Sequence, residues 1–72
     1  MIKVNEWKNS DKNPTTYKIS AFADTKAEVQ SASFADYIGL PSDATAFEME
    51  SDIMTAAGEF AFMKSDGTWN WL

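Results

Sequence analysis

The chain contains no cysteine, no histidine and no arginine, and only three glycines and two prolines among its 72 residues. Without cysteine there is no disulfide, and without cysteine or histidine the usual ligands of a structural zinc are missing. The same two absences remove most pairings of a nucleophile with a general base before geometry is considered. Lack of arginine bears on nucleic acid, because base readout relies most often on arginine and backbone binding on clustered cations. Six lysines stand against eleven acidic residues for a net charge of −5, so nucleic acid is not expected as a partner. No apolar run approaches the roughly 18 residues of a membrane span, and no apolar core follows the first lysine to make a signal peptide. The expectation is therefore a soluble protein made in the cytoplasm, with no membrane partner, no metal and no cofactor.

What is present is apolar content of 44% and aromatic content of 14%, which fits one small folded domain over residues 1–72 better than a disordered tail. A domain of this size buries only about 60% of the surface that its unfolded chain exposes, so it is marginal without support. With disulfides and zinc gone, oligomerisation is the support that remains. The charges are uneven. Residues 1–26 hold five lysines and three acids, for +2, and residues 27–72 hold Lys64 and eight acids, for −7. That asymmetry suits head-to-tail packing of copies or a plain solvated surface.

Strand periodicity dominates. Ile2 and Val4 alternate with Lys3 and Asn5, and Tyr17, Ile19 and Ala21 alternate with Lys18 and Ser20. The cluster of turn formers from Asn9 to Pro14 lies between them, so the pair reads as a hairpin. Asp24 is placed to cap a short helix from Thr25 to Ala32. The serines and the incomplete apolar stripe of that stretch favour irregular or extended chain over 24–36, with the short helix as the alternative. From Ala44 onward Phe47, Met49, Ser51 and Ile53 alternate with Glu48, Glu50 and Asp52, which predicts a half-exposed antiparallel strand with three carboxylates on one face. Gly58, free to take positive φ, closes a turn, and Glu59–Lys64 is the next strand. Asp66-Gly67 reads as a two-residue hairpin loop. That loop would set Lys64 opposite Trp69, Phe62 opposite Trp71 and Ala61 opposite Leu72, with Phe60, Phe62, Trp69 and Trp71 on one face. The fold expected is mostly β: one small antiparallel sheet or barrel-like domain of about five or six short strands.

Three sets of residues are candidates for function. Glu48, Glu50 and Asp52, about 7 Å apart along a strand, have a spacing that suits the two carboxylates of a glycosidase. A solvated strand face explains them more simply, and no segment has the spacing of a calcium loop. The aromatic set Trp7, Phe60, Phe62, Trp69 and Trp71 is either the core of a small sheet or an interface that buries against a neighbouring copy or partner. Lys64 opposite Trp69 would add a cation–π contact. Trp69 and Trp71 would also serve a carbohydrate-binding module as a stacking platform. A small-molecule substrate is not expected from so small a domain.

Tyr37-Ile38-Gly39-Leu40-Pro41, Phe47-Glu48-Met49-Glu50-Ser51 and above all Gly58 to Trp71, with a weaker echo in Thr16-Tyr17-Lys18-Ile19, carry a resemblance. The chain resembles a loose group of very short proteins encoded among the virion-structure genes of tailed bacteriophages and prophages of Gram-positive bacteria. In that group the chain similarly closes with a strand, an Asp-Gly-type turn and a tryptophan. The resemblance covers about the last half of the chain and implies no catalytic residue. It implies a small β domain present in many copies in the head, the head-to-tail region or the tail. The expectation is a non-enzymatic structural or accessory protein, made in the bacterial cytoplasm and carried on the virion. Its partners would be copies of itself or other virion proteins. The alternative is an acidic phage-encoded inhibitor or nucleic-acid mimic that occupies a basic groove of a host protein.

Overall fold

The computed structural model describes residues 1–10 and 16–72. Two eight-residue strands, β1 (Ile2–Asn9) and β2 (Thr16–Ala23), pair antiparallel, as their alternation predicts. The turn expected over Asn9–Pro14 falls largely outside the described residues. Ser10 closes the hairpin from the described side, its amide donating to the Thr16 carbonyl at 3.0 Å and its hydroxyl hydrogen-bonding that of Thr16.

After β2 come a helix α1 (Lys26–Ser31), a 3₁₀ turn (Phe34–Asp36), and strands β3 (Tyr37–Ile38) and β4 (Ala46–Phe47). Strands β5 (Asp52–Thr55), β6 (Phe60–Met63) and β7 (Trp69–Trp71) complete the chain. The mostly β domain with one short helix is thus what the chain forms. The sheet is mixed, however, with seven strands in the order β3-β1-β2-β5-β6-β7 and β4 attached to β2. β3 runs parallel to β1, and both β4 and β5 run parallel to β2. Periodicity cannot separate parallel from antiparallel neighbours, since a strand alternates its faces in either.

The helix occupies part of the stretch for which the sequence left two readings. Its cap is Thr25, not Asp24: Thr25 Oγ1 accepts the Glu28 amide at 3.2 Å. Asp24 instead joins Glu28 in binding the Met1 ammonium, at 2.9 and 2.6 Å. Both carboxylates hold that ammonium above its ordinary pKa, Glu28 more than Asp24.

One parallel pairing determines the layering. Antiparallel neighbours are joined by turns in the plane of the sheet, whereas β2 and β5, being parallel and adjacent, need a connection that crosses over one face. Residues 24–51 are that connection. They lay α1, the 3₁₀ turn and the loop 39–45 over a single face, where Ile2, Val4, Tyr17, Ile19, Ala21, Ala23, Val29, Tyr37 and Ile53 form the buried cluster. The links β1 to β2, β5 to β6 and β6 to β7 each join antiparallel neighbours, so among the described residues no segment crosses the other face.

The stretch expected to be one strand from Ala44 to Ile53 is broken. β4 and β5 both pair with β2, but residues 48–51 turn between them, with Glu50 at φ +76°. Ser51 bridges the gap. Its buried hydroxyl accepts the Ile19 amide at 2.9 Å, and its own carbonyl accepts the Met63 amide at 2.8 Å. A side chain thus replaces one rung of the ladder.

Candidate interaction surfaces

Two one-residue devices decide which side chains reach which face. In β1 the register advances two residues, Val4 to Glu6, while β2 advances one, so Asn5 is the extra residue of a bulge. Before it Ile2 and Val4 point to the covered face; after it Trp7 does, opposite Ile19. Trp7 packs edge-on against Tyr17, with centroids 5.3 Å apart at 89°, and remains half exposed.

The second device is the last turn. Met63 pairs with Trp69, Phe62 with Asn70 and Ala61 with Trp71, one residue away from the expected pairing of Lys64 with Trp69. The Lys64 amide donates to the Thr68 carbonyl at 2.9 Å, which leaves a three-residue loop of Ser65, Asp66 and Gly67, with Gly67 at φ +84°. A three-residue loop ending in a left-handed glycine is a common hairpin closure, and a one-residue slip sends every side chain to the opposite face. Asp66 Oδ1 accepts both the Thr68 hydroxyl at 2.7 Å and the Thr68 amide at 3.0 Å, which fixes the loop and holds its carboxyl below the usual carboxylate range.

The aromatic set read from the sequence is therefore divided. Trp69 and Trp71 lie on the covered side with Ala61 and Met63; Phe60 and Phe62 lie on the open side. On the covered side Phe47 is the hub, 4.9 Å from the rings of Phe34 and Tyr37 and 5.7 Å from Trp69. These rings line an open groove of about 500 Å³ between α1 and the last hairpin. Lys64 makes no contact of the predicted kind with Trp69; it pairs with Asp66 at 3.7 Å. Lys26 lies over Trp71 instead, 5.0 Å from the ring, so the two indoles do not make a bare stacking platform. Burial raises the Tyr37 phenol above its ordinary pKa, and the Asp43 carboxylate that accepts the Tyr17 hydroxyl at 2.6 Å raises Tyr17. Both phenols stay protonated at neutral pH.

Glu48, Glu50 and Asp52 do not form a strand-face row, because the turn at 48–51 separates them. Asp52 accepts the Ser20 hydroxyl at 2.9 Å, and Glu50 lies 3.8 Å from Lys18. Among the described residues no group of three or more carboxylates is placed to hold a cation, and no buried side-chain polar atom lacks a partner.

The open face shows what sequence reading missed. Reading across β3, β1, β2, β5 and β6, the residues Ile38, Lys3, Phe22, Met54 and Phe60 stand side by side. Leu72, whose amide donates to the Phe60 carbonyl at 2.9 Å, ends the row. Ile38 is 49% exposed, Phe22 41%, Met54 48% and Leu72 81%. Phe62 stands in the next row beside Asp52 and Asn70. The signal was in the sequence as apolar residues at both alternating positions, Ala21 with Phe22 and Ile53 with Met54. That pattern belongs to a strand apolar on two faces. Lys3 stands between Ile38 and Phe22, and Phe22, Met54, Phe60 and Leu72 make the unbroken apolar part of the row.

No protein-family model matches the chain, and no curated protein or solved structure matches it. Fold and surface together define a class: a one-sheet, one-helix domain with one apolar face uncovered.

Proposed function

We propose that this protein is a non-enzymatic structural or accessory component of a bacteriophage or prophage particle, in the head, the head-to-tail region or the tail, and that it works through contacts between subunits. The observation that supports this most is the open-face row of Ile38, Lys3, Phe22, Met54, Phe60 and Leu72, in which Ile38, Phe22, Met54 and Leu72 are exposed. An isolated chain gains nothing from presenting it to water, whereas a symmetric assembly gains the burial that a domain of this size lacks. The resemblance of the last hairpin to short virion-associated proteins supplies the setting.

The test is quantitative mass spectrometry of density-purified particles from a phage or prophage that encodes the chain. The reading expects the protein in many copies per particle. Its confinement to the soluble lysate would contradict that. An acidic inhibitor or nucleic-acid mimic would instead be found on a basic host protein, in a complex that dissociates as salt rises.

A further inference from the structure

Resting on the reading that the chain acts through subunit contacts, we propose that the open sheet face is a two-fold self-association surface, on which a second copy of this chain stacks its own open face to make a two-sheet sandwich with the helices outside. The order of the row supports self-recognition. Across the sheet it runs Ile38, Lys3, Phe22, Met54, Phe60, Leu72. A two-fold axis along the strands, between Phe22 and Met54, lays this row on its own reverse. Phe22 then meets Met54, Ile38 meets Leu72, and each Lys3 meets a Phe60 ring rather than the other lysine. The next row runs Glu6, Ser20, Asp52, Phe62, Asn70. The same operation sets Asp52 over Ser20 and Glu6 over Phe62, so no like charges meet in either row.

The size sets the strength. Six strands spaced about 4.8 Å apart make a face about 24 Å across, and β5 and β6, of four residues each, give it about 13 Å along the strands. The flat footprint is thus on the order of 300 Å² for each partner, below the ~800 Å² of a standard interface, which fits a dimer that comes apart on dilution. Sheets stacked in this way interdigitate at about 10 Å, which is the closure that a single-layer sheet lacks.

The test is light scattering behind size-exclusion chromatography of the full chain over about a hundredfold concentration range around the micromolar, at low and high salt. The wild type is expected to be a dimer that dissociates on dilution and survives salt. Phe22→Lys and Met54→Lys, both at exposed positions, should shift dissociation by at least about tenfold while keeping the far-ultraviolet circular dichroism of the wild type. Leu72→Lys, at the end of the row, serves the same purpose should either of these unfold. Met49→Lys, an exposed change in the 48–51 turn, should leave the dimer intact. A wild type that is monomeric throughout, or a dimer that persists in the folded lysine variants, overturns the proposal. A monomer that still travels with particles overturns self-association alone, and a dimer that is absent from particles overturns only the virion role.

Discussion

The two faces of one sheet follow opposite rules in this protein. On the covered face the central strands present Ala21, Ala23, Ile53 and Ala61, each at most 3% exposed. On the open face their immediate neighbours Phe22, Met54, Phe60 and Phe62 are larger and remain wholly or partly in water. The small residues are where the crossover must approach: α1 packs Val29 down onto the same cluster as Ala21 and Ala23. The large residues are where none of the described segments approaches. The bulky rings of the covered side, Tyr17, Tyr37, Phe47, Trp69 and Trp71, pack with the same cluster, so the contrast in size holds at these central positions alone. The lesson is that topology, set by one parallel pairing, decides which face is core.

The largest break in this comparison should come from Ile53→Ala, which empties a site with no exposure; urea unfolding should show a loss of about 2–5 kcal/mol. Met54→Ala, one residue along and on the other face, should cost under about 1 kcal/mol in a monomeric sample, since an exposed side chain has little transfer energy to lose. Equal losses would mean that the two faces are equally buried in solution.

Ser51→Ala removes the acceptor of the buried Ile19 amide and should cost about 1–3 kcal/mol by the same unfolding assay, more than a surface serine does. Gly67→Ala tests the device that sorts aromatic side chains between the faces. A Cβ there meets nothing within 4 Å, so the cost is that of the backbone alone, about 1 kcal/mol. Loss of the Trp69 and Trp71 near-ultraviolet signals along with stability would show that the register depends on this turn.

The same turn should respond to pH. The Asp66 carboxyl is held below its ordinary pKa by the Thr68 hydroxyl and amide. A depressed carboxylate contributes stability above its unfolded value, and that contribution is lost as pH falls through the folded one. A melting series should therefore show the wild type losing an increment below about pH 4 that Asp66→Asn lacks. The smallest expected change is a gain: Glu50 holds φ +76° without being glycine. Glu50→Asn should stabilise by a few tenths of a kcal/mol to about 1, because asparagine tolerates the left-handed region and the exposed pair with Lys18 contributes little.

The first hairpin, the turns at Gly58 and Gly67 and the mostly β class were legible because alternation and turn chemistry are local. The pairing partners were not. Lys18, Ile19 and Ser20 alternate identically whether β5 runs with β2 or against it, so the parallel pair and the crossover it demands left no mark on the period. The aromatic set was misassigned by a single residue: Asp66-Gly67 suits a two-residue loop, but Ser65 joins it and turns Trp69 and Trp71 inward. Glu48, Glu50 and Asp52 read as a face because the alternation continues through a turn that only the left-handed Glu50 reveals. The open face itself was written in Phe22 and Met54, apolar neighbours of apolar residues, and its meaning depended on a connectivity in which none of the described segments crosses it.

The most direct check on the contact role of the open face is an isotope-filtered nuclear Overhauser experiment on a mixture of labelled and unlabelled chains, which reports only contacts between copies. The account predicts cross-peaks between Phe22 and Met54 and between Ile38 and Leu72 of different molecules, with none to Met49. Cross-peaks centred on Trp69, Trp71 and the groove beside α1, or none from the open face in an associated sample, would contradict it.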